Sequence, residues 1–144
     1  MNIIFKNNCF IIKEDSNNNI VFLNVLKNNF TDLDMDTYES EFLKLYDKYE
    51  NSKKKFSIIY DISELGLSSI SYAKRLAYFL KDLEVRTKKL VYCSTLITSS
   101  YSFKKTFNLF IKLLGSPTPT KLVSNLNEAI DFVDSNCDFK LKFK

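Results

Sequence analysis

Residues 56–62 have the sequence Phe-Ser-Ile-Ile-Tyr-Asp-Ile, and this stretch decides the fold. Its near-continuous apolar character predicts a strand that is buried on both faces, as at the centre of a parallel sheet. A loop rich in small polar residues, 63–69, follows Asp61. Apolar residues then recur at helical spacing, which predicts an amphipathic helix with Ser68 or Ser69 as its N-cap. The apolar positions of this helix are Ile70, Ala73, Leu76, Ala77, Leu80 and Leu83.

Extended segments and an acidic helix precede this strand. Residues 3–5 and 9–13 are typical of extended chain, and the sequence Asp-Ser-Asn-Asn-Asn at 15–19 predicts a turn before the apolar run at 20–26. The pattern indicates an antiparallel hairpin. A helix is expected next, because residues at helical spacing follow acids that suit the positive end of a helix dipole. The acids are Asp32, Asp34, Asp36, Glu39 and Glu41, and the spaced residues are Tyr38, Phe42, Leu45, Tyr46 and Tyr49.

Two strands and two helices are predicted after residue 89. Residues 90–98 and 120–123 predict strands, each followed by a helix. Gly115 is expected to end the first of these helices, just before two prolines. The expected N-caps are Ser99 or Ser100 for the first helix and Ser124 or Asn125 for the second.

The predicted order is therefore β-β-α-β-α-β-α-β-α, in an α/β fold. Strands that alternate with single helices favour a mainly parallel mixed sheet with helices packed on it. No repeat or long linker divides the chain, so we expect one domain over residues 1–136 and a basic tail over 137–144.

The composition predicts a globular protein in a reducing compartment. Hydrophobic residues make up 45% and charged residues 26% of the chain, which is ordinary for a folded domain. Three widely spaced cysteines indicate reduced thiols, and no segment has the pattern of a signal peptide or a bilayer span. We therefore expect a cytoplasmic protein without a transmembrane segment. The net charge of +4 comes mostly from scattered lysines, with only two arginines, which argues against a nucleic-acid partner.

The chain contains no histidine and only two glycines. This excludes Ser-His and Cys-His nucleophiles and glycine-rich phosphate loops, so we predict a protein that is not an enzyme and uses no cofactor. The spacing Asp32-x-Asp34-x-Asp36 is similar to the start of a calcium loop. Thr37 and Leu43, however, stand where that loop needs Gly and Glu. Helix capping is therefore expected, and no metal site.

Two segments resemble the STAS domain, the anti-sigma-factor-antagonist family. Residues 56–65, Phe-Ser-Ile-Ile-Tyr-Asp-Ile-Ser-Glu-Leu, are similar to the family's central strand, which ends in Asp before the loop to the second helix. Residues 121–133, Lys-Leu-Val-Ser-Asn-Leu-Asn-Glu-Ala-Ile-Asp-Phe-Val, are similar to its closing strand and helix. With the element order, the resemblance extends over roughly residues 10–135. It is strongest for the small SpoIIAA-like branch, whose architecture is similar to lipid-binding CRAL-TRIO domains.

Regulatory members of that family have a phosphorylatable Ser in an Asp-Ser-Ser-Gly turn at the start of the second helix. The matching region here, 66–72, contains serines but lacks that acid and the Gly after the serines. Counting without gaps from Asp61 puts Ser71 at the phosphorylated position, and a shift of two residues puts Ser69 there. A phosphate on Ser68, Ser69 or Ser71 would lie at a helix N-terminus, although plain capping also explains these serines.

Asp61 has two interpretations. It lies at the end of a central strand, where open α/β sheets keep functional groups. It also suits a residue that closes the strand and accepts hydrogen bonds from loop amides.

The helix predicted after residue 100 is apolar over more than one face. A stripe of Phe103, Phe107, Phe110, Ile111 and Leu114 is explained by core packing. Leu109 and Leu113 lie off this stripe, so they could contact a second chain, an acyl group or a membrane surface. The neighbouring Lys104, Lys105 and Lys112 would suit an anionic headgroup or an acidic partner, or they form a solvated face.

These features support a leading hypothesis and two alternatives. The leading one is a non-enzymatic STAS-like regulatory or scaffolding module that binds a protein partner through residues 63–72 and the adjacent helix. The first alternative, implied by the SpoIIAA-like and CRAL-TRIO resemblance and by the aromatic-rich helix predicted after residue 100, is a carrier of a lipid or another apolar ligand. The second is an enzyme that uses Asp61 or tyrosines. The tail, in which Phe139, Leu141 and Phe143 alternate with lysines, could pair as an edge strand in a homodimer or form a disordered end.

Overall fold

The computed structural model describes residues 1–65 and 71–142. The described chain is an α/β fold with a six-stranded sheet and five helices. The strands are β1 (Asn2–Lys6), β2 (Phe10–Asp15), β3 (Ile20–Val25), β4 (Phe56–Asp61), β5 (Val91–Ile97) and β6 (Thr120–Val123). The helices are α1 (Asp32–Ser52), α2 (Ser71–Asp82), α3 (Glu84–Leu90), α4 (Tyr101–Leu114) and α5 (Leu126–Asn136).

The strands lie in the sheet in the same order as in the chain. β1, β2 and β3 pair antiparallel, whereas β3, β4, β5 and β6 pair parallel. The predicted mixed, mainly parallel sheet is therefore confirmed. Residues 56–61 form an interior strand, and five of those six residues are buried, as their apolar character predicts.

The two faces of the sheet are covered unequally. Crossovers of one hand that proceed in one direction across a sheet place their helices on the same face. Accordingly α1, α2 and α4 pack together on one face, which we call the helical face, around Ile12, Leu23, Ile58 and Leu96. The other face, which we call the α5 face, carries α5 over a smaller cluster that includes Phe22, Ile59 and Ile97.

The structure has one strand more than predicted before α1. Residues 3–5 and 9–13 belong to two separate strands, β1 and β2. The reason is Asn7, whose side-chain oxygen accepts hydrogen bonds from the backbone N–H groups of Cys9 and Phe10 at 2.8 and 2.9 Å. This Asx-type turn reverses the chain between the two strands.

Helix α3 is a second difference from the predicted order. It has only seven residues, too few for an apolar periodicity to be visible. Tertiary contacts hold it: Thr87 and Tyr46 of α1 share a hydrogen bond of 2.8 Å between buried hydroxyls, and Arg86 pairs with Asp47 at 2.7 Å. Packing against α1 therefore stabilises a helix that the sequence pattern does not predict.

The observed helix ends agree with the predicted capping residues where the structure describes them. Ser100 caps α4 and Asn125 caps α5, each accepting a hydrogen bond from a backbone N–H of the first turn. Gly115 follows the last residue of α4 with φ of 84°, a conformation that favours glycine. The serines expected to cap α2, Ser68 and Ser69, lie outside the described residues.

The segment after α5 is attached to the opposite end of the chain. The side-chain amide of Asn18 donates to Lys142 O at 2.9 Å and its oxygen accepts from Lys142 N–H. Leu141 packs against the cluster of the α5 face, and Asp138 accepts a hydrogen bond from Tyr92 at 2.8 Å. Residues 137–142 form no strand.

None of the helices within residues 1–65 and 71–142 combines the length and the apolar character that crossing a bilayer requires.

Candidate functional site

Asp61 is the last residue of β4, on the α5 face of the sheet. Its Oδ1 accepts hydrogen bonds from the backbone N–H of Ser63 at 3.1 Å and from Ser63 Oγ at 2.6 Å. In the parallel register it lies opposite Asn24 of β3 and Ile97 of β5. The carboxylate therefore closes the strand as one interpretation expects, and it also lies at the carboxyl edge of three parallel strands.

An open groove of about 190 Å³ adjoins Asp61 on the α5 face. Phe22, Ile59 and Ile97 form its apolar floor; all three are almost fully buried. Lys13, Asn24 and Asp61 supply polar groups around it, and the exposed side chains of Met1 and Leu126 form its walls. We call this the Asp61 groove. Sequence reasoning selected Asp61 but missed the other residues of the groove.

The candidate serines are only partly described. Ser71 is the first residue of α2 and is exposed. Ser68 and Ser69 lie outside the described residues, so the structure places only one of the three serines relative to Asp61.

The five apolar residues singled out in α4 divide into two groups. Phe103 and Phe107 are 3% and 0% exposed, and their rings stack 6.1 Å apart within the core of the helical face. Phe110 is partly buried against Tyr78 of α2, with a centroid distance of 6.1 Å. Leu109 and Leu113, by contrast, are 54% and 70% exposed. The phenylalanines therefore hold α4 on the sheet, and the two leucines do not.

The exposed side of α4 combines leucines with lysines. We call Tyr101, Lys105, Leu109, Lys112 and Leu113 the α4 outer face. Tyr101 is 75% exposed, and an open depression of about 410 Å³ runs beside Leu109 between Lys105 and Lys112. This face thus exposes a tyrosine and two leucines beside two lysines, and Thr106 and Asn108 also line the depression.

The charge of this part of the chain is one-sided. No acidic residue occurs between Glu84 and Glu128. The same segment contains seven basic residues: Arg86, Lys88, Lys89, Lys104, Lys105, Lys112 and Lys121. The lysines of the α4 outer face therefore have no acidic neighbour on their own helix, and their positive charge is presented to solvent.

A small, partly open pocket lies on the helical face. Within the described residues it measures about 30 Å³. It is lined by apolar and tyrosine side chains of β3, β4, α1, α2 and α4, among them Tyr38 and Tyr60. The hydroxyls of these two tyrosines are 3.3 Å apart, and burial raises both pKa values well above the ordinary value. Neither hydroxyl ionises near neutral pH.

The acids at the start of α1 act as caps and ion-pair partners. Thr31 and Asp34 form a capping box. Burial opposes ionisation of Asp34, but hydrogen bonds from the Cys9 thiol, the Thr31 backbone and Lys27 outweigh it and lower its pKa to about 2. Asp36 pairs with Arg75 of α2 at 2.6 Å. No group of three or more Cys, Asp or Glu side chains in the described chain is arranged to hold a metal ion.

Comparisons with protein-family models, with curated proteins and with solved structures found no match to this chain.

Proposed function

We propose that the protein is a non-enzymatic regulatory or scaffolding module that binds an acidic protein partner through the α4 outer face. The observation that supports this most directly is the exposure of Leu109 and Leu113 on a helix whose opposite side already fills the core. The resemblance to STAS domains, a family of protein-binding modules, favours the same function.

Core packing does not account for the leucines of the α4 outer face. A helix that covers one side of a sheet needs an apolar stripe only about 100° wide, and Phe103 and Phe107 supply it. A leucine left in water forgoes roughly 1.5–3 kcal/mol of burial free energy. A partner that covers Leu109 and Leu113 would recover part of that free energy, so both are expected to lie near the centre of the interface.

The charges of the α4 outer face indicate the chemistry of the partner. Lys105 and Lys112 flank the depression beside Leu109, and no acid of α4 offsets them. Complementary charge steers association and fixes the orientation of a partner. An acidic segment with apolar residues at its centre fits both features. Tyr78 of α2, 45% exposed and next to Phe110, would extend the surface toward the helix that the sequence favoured.

Two observations favour the partner-binding module over the alternatives. A carrier of an acyl chain or a similar ligand needs an enclosed space of about 300 Å³ or more, and the pocket on the helical face measures about 30 Å³ within the described residues. An enzyme that uses Tyr38 or Tyr60 would need an accessible hydroxyl that ionises readily, whereas both side chains are buried and burial raises their pKa values.

The experiment compares three forms of the protein. Leu109→Gln with Leu113→Gln removes the apolar centre of the α4 outer face. Leu33→Gln with Val85→Gln is the matched control, because those side chains are 72% and 67% exposed on other helices. Each form is cross-linked in cells and purified, and the retained proteins are quantified by mass spectrometry.

We expect at least one acidic protein that the wild type and the control retain equally and that the α4 variant loses at least tenfold. Identical sets of proteins for all three forms, with unchanged circular dichroism, would overturn the proposal. Binding of the wild type to vesicles of anionic phospholipid, lost in the α4 variant, would assign the face to a membrane surface instead.

A further inference from the structure

The Asp61 groove contains polar groups that the described part of the chain leaves largely without partners. Within residues 1–65 and 71–142, the side chains of Lys13 and Asn24 make no hydrogen bond or ion pair. Asp61 bonds to Ser63 through Oδ1, while Oδ2 has no described partner. The groove thus offers a cation, a carboxamide and a carboxylate oxygen that have no partner among the described residues, around an apolar floor.

The strand register sets the spacing of these groups. Lys13 lies opposite Phe22, and Asn24, two residues further along β3, lies opposite Asp61. With strands about 4.8 Å apart and a rise of about 3.3 Å per residue, the Cα atoms of Lys13 and Asp61 are separated by about 12 Å. A lysine side chain can span part of that distance, and both residues line the groove.

The floor and the size of the groove limit what can bind. Phe22, Ile59 and Ile97 provide a continuous apolar surface of side chains that are at most 8% exposed. A volume of about 190 Å³ is below that of a nucleotide or acyl-chain site but accommodates a molecule of about ten non-hydrogen atoms. The ligand must therefore be small, with an apolar part for the floor.

We propose that the Asp61 groove binds a free apolar α-amino acid or a small zwitterion of the same chemistry. The carboxylate of the ligand pairs with Lys13, its ammonium pairs with Asp61 and the side-chain oxygen of Asn24, and its side chain covers the floor. A purely anionic ligand would be repelled by Asp61 and a purely cationic one by Lys13. A neutral apolar ligand would leave both charged groups without partners, which is costly when it displaces their water.

This site is independent of the proposed partner surface. The Asp61 groove lies on the α5 face, whereas α4 packs on the helical face. Substitutions in one are therefore expected to leave the other unchanged, and either proposal can fail alone.

The test is a titration followed by nuclear magnetic resonance of the isoleucine methyl groups. The probes are L-phenylalanine, L-leucine, L-isoleucine and L-methionine, with 3-phenylpropanoate and 2-phenylethylamine as analogues that each lack one charge. We expect saturable shifts of the Ile59 and Ile97 methyls with at least one amino acid. If phenylalanine binds, each analogue should bind at least tenfold more weakly.

Variants identify the charges that bind the ligand. Asp61→Asn and Lys13→Gln should each weaken binding of the amino acid at least tenfold. Asp131→Asn and Lys6→Gln, at exposed positions outside the groove, should leave the affinity unchanged. The proposal is wrong if none of the four amino acids gives saturable shifts at Ile59 and Ile97. It is equally wrong if a one-charge analogue binds as tightly as phenylalanine, or if both groove variants keep wild-type affinity.

Discussion

The variant Tyr49→Phe tests the buried ionic contact between β2 and α1. Glu14 is 7% exposed, and its Oε2 accepts a hydrogen bond of 2.5 Å from Tyr49 Oη. Lys48 Nζ donates to both carboxylate oxygens of Glu14, at 2.9 and 3.1 Å. The substitution removes the hydroxyl but keeps the ring, which stacks on Phe56 with centroids 4.2 Å apart. A hydrogen bond to a charged group is worth about 1.5–3 kcal/mol, so we expect the free energy of unfolding at pH 7 to fall by about 2 kcal/mol.

The stability lost in Tyr49→Phe should depend on pH, because the hydrogen bond from Tyr49 is strong only when the Glu14 carboxyl is ionised. Burial opposes ionisation of Glu14, but the bonds from Tyr49 and Lys48 outweigh it, so its pKa lies below the ordinary value of 4.5. A carboxyl whose pKa falls on folding stabilises the native state above its ordinary pKa, and this contribution is lost as the pH falls through the lowered value. The difference between wild type and variant should therefore be largest at neutral pH and shrink below about pH 4.

The assay is urea unfolding followed by far-ultraviolet circular dichroism at pH 7 and at pH 3.5 or below. The unfolding midpoint should fall with an unchanged slope, and the melting temperature should fall by about 4–8 °C. Tyr101→Phe is the control, because a side chain that is 75% exposed should change stability by less than about 0.5 kcal/mol. Equal stability of Tyr49→Phe and wild type at pH 7, or a loss of the same size at both pH values, would refute the reasoning.

Three further predictions concern other contacts. Arg75 holds Glu39 through two guanidinium nitrogens at 3.2 and 2.9 Å, and because lysine cannot form this fork, Arg75→Lys should cost about 1 kcal/mol in urea unfolding. A variant as stable as wild type would contradict that. Asn18→Ala removes both bonds to the backbone of Lys142, so amide exchange in residues 138–142 should accelerate at least tenfold by mass spectrometry, and unchanged exchange would contradict it. A thiol reagent at pH 8 should modify Cys137 first, since the other two cysteines are buried and burial raises their pKa values. Equal rates at all three thiols would show that burial does not protect them.

Local chemistry explains which parts of the fold were predictable. The apolar run at residues 56–62 predicted an interior strand because burial on both faces requires such a composition. Ser100 and Asn125 marked helix starts because their side chains accept hydrogen bonds from backbone N–H groups of the first turn. Gly115 marked a helix end because its positive φ favours glycine. Asn7 carried an equally local signal, because an Asx turn at this residue predicts a chain reversal between β1 and β2.

Contacts between distant residues explain what could not be predicted. Helix α3 depends on Tyr46, which is 41 residues away from Thr87 in the chain. The Asp61 groove combines residues from four strands and α5, so no window of sequence contains it. One signal was present: Asn24 interrupts an apolar strand on the same face as Ile20 and Phe22. A polar residue at such a position indicates either a solvent-facing edge or a site.

The strand order has a kinetic consequence for the contact between Asn18 and Lys142. Every strand pairs with its neighbours in the chain, so the sheet can assemble by successive short closures. The contact of Asn18 with Lys142 instead joins residues 124 apart and needs both the turn between β2 and β3 and the segment after α5 in place. It is therefore expected to form after the rate-limiting step, so that its loss accelerates unfolding and leaves the folding rate unchanged. The attached carboxyl-terminal segment would then govern the lifetime of the native state rather than the speed of its formation.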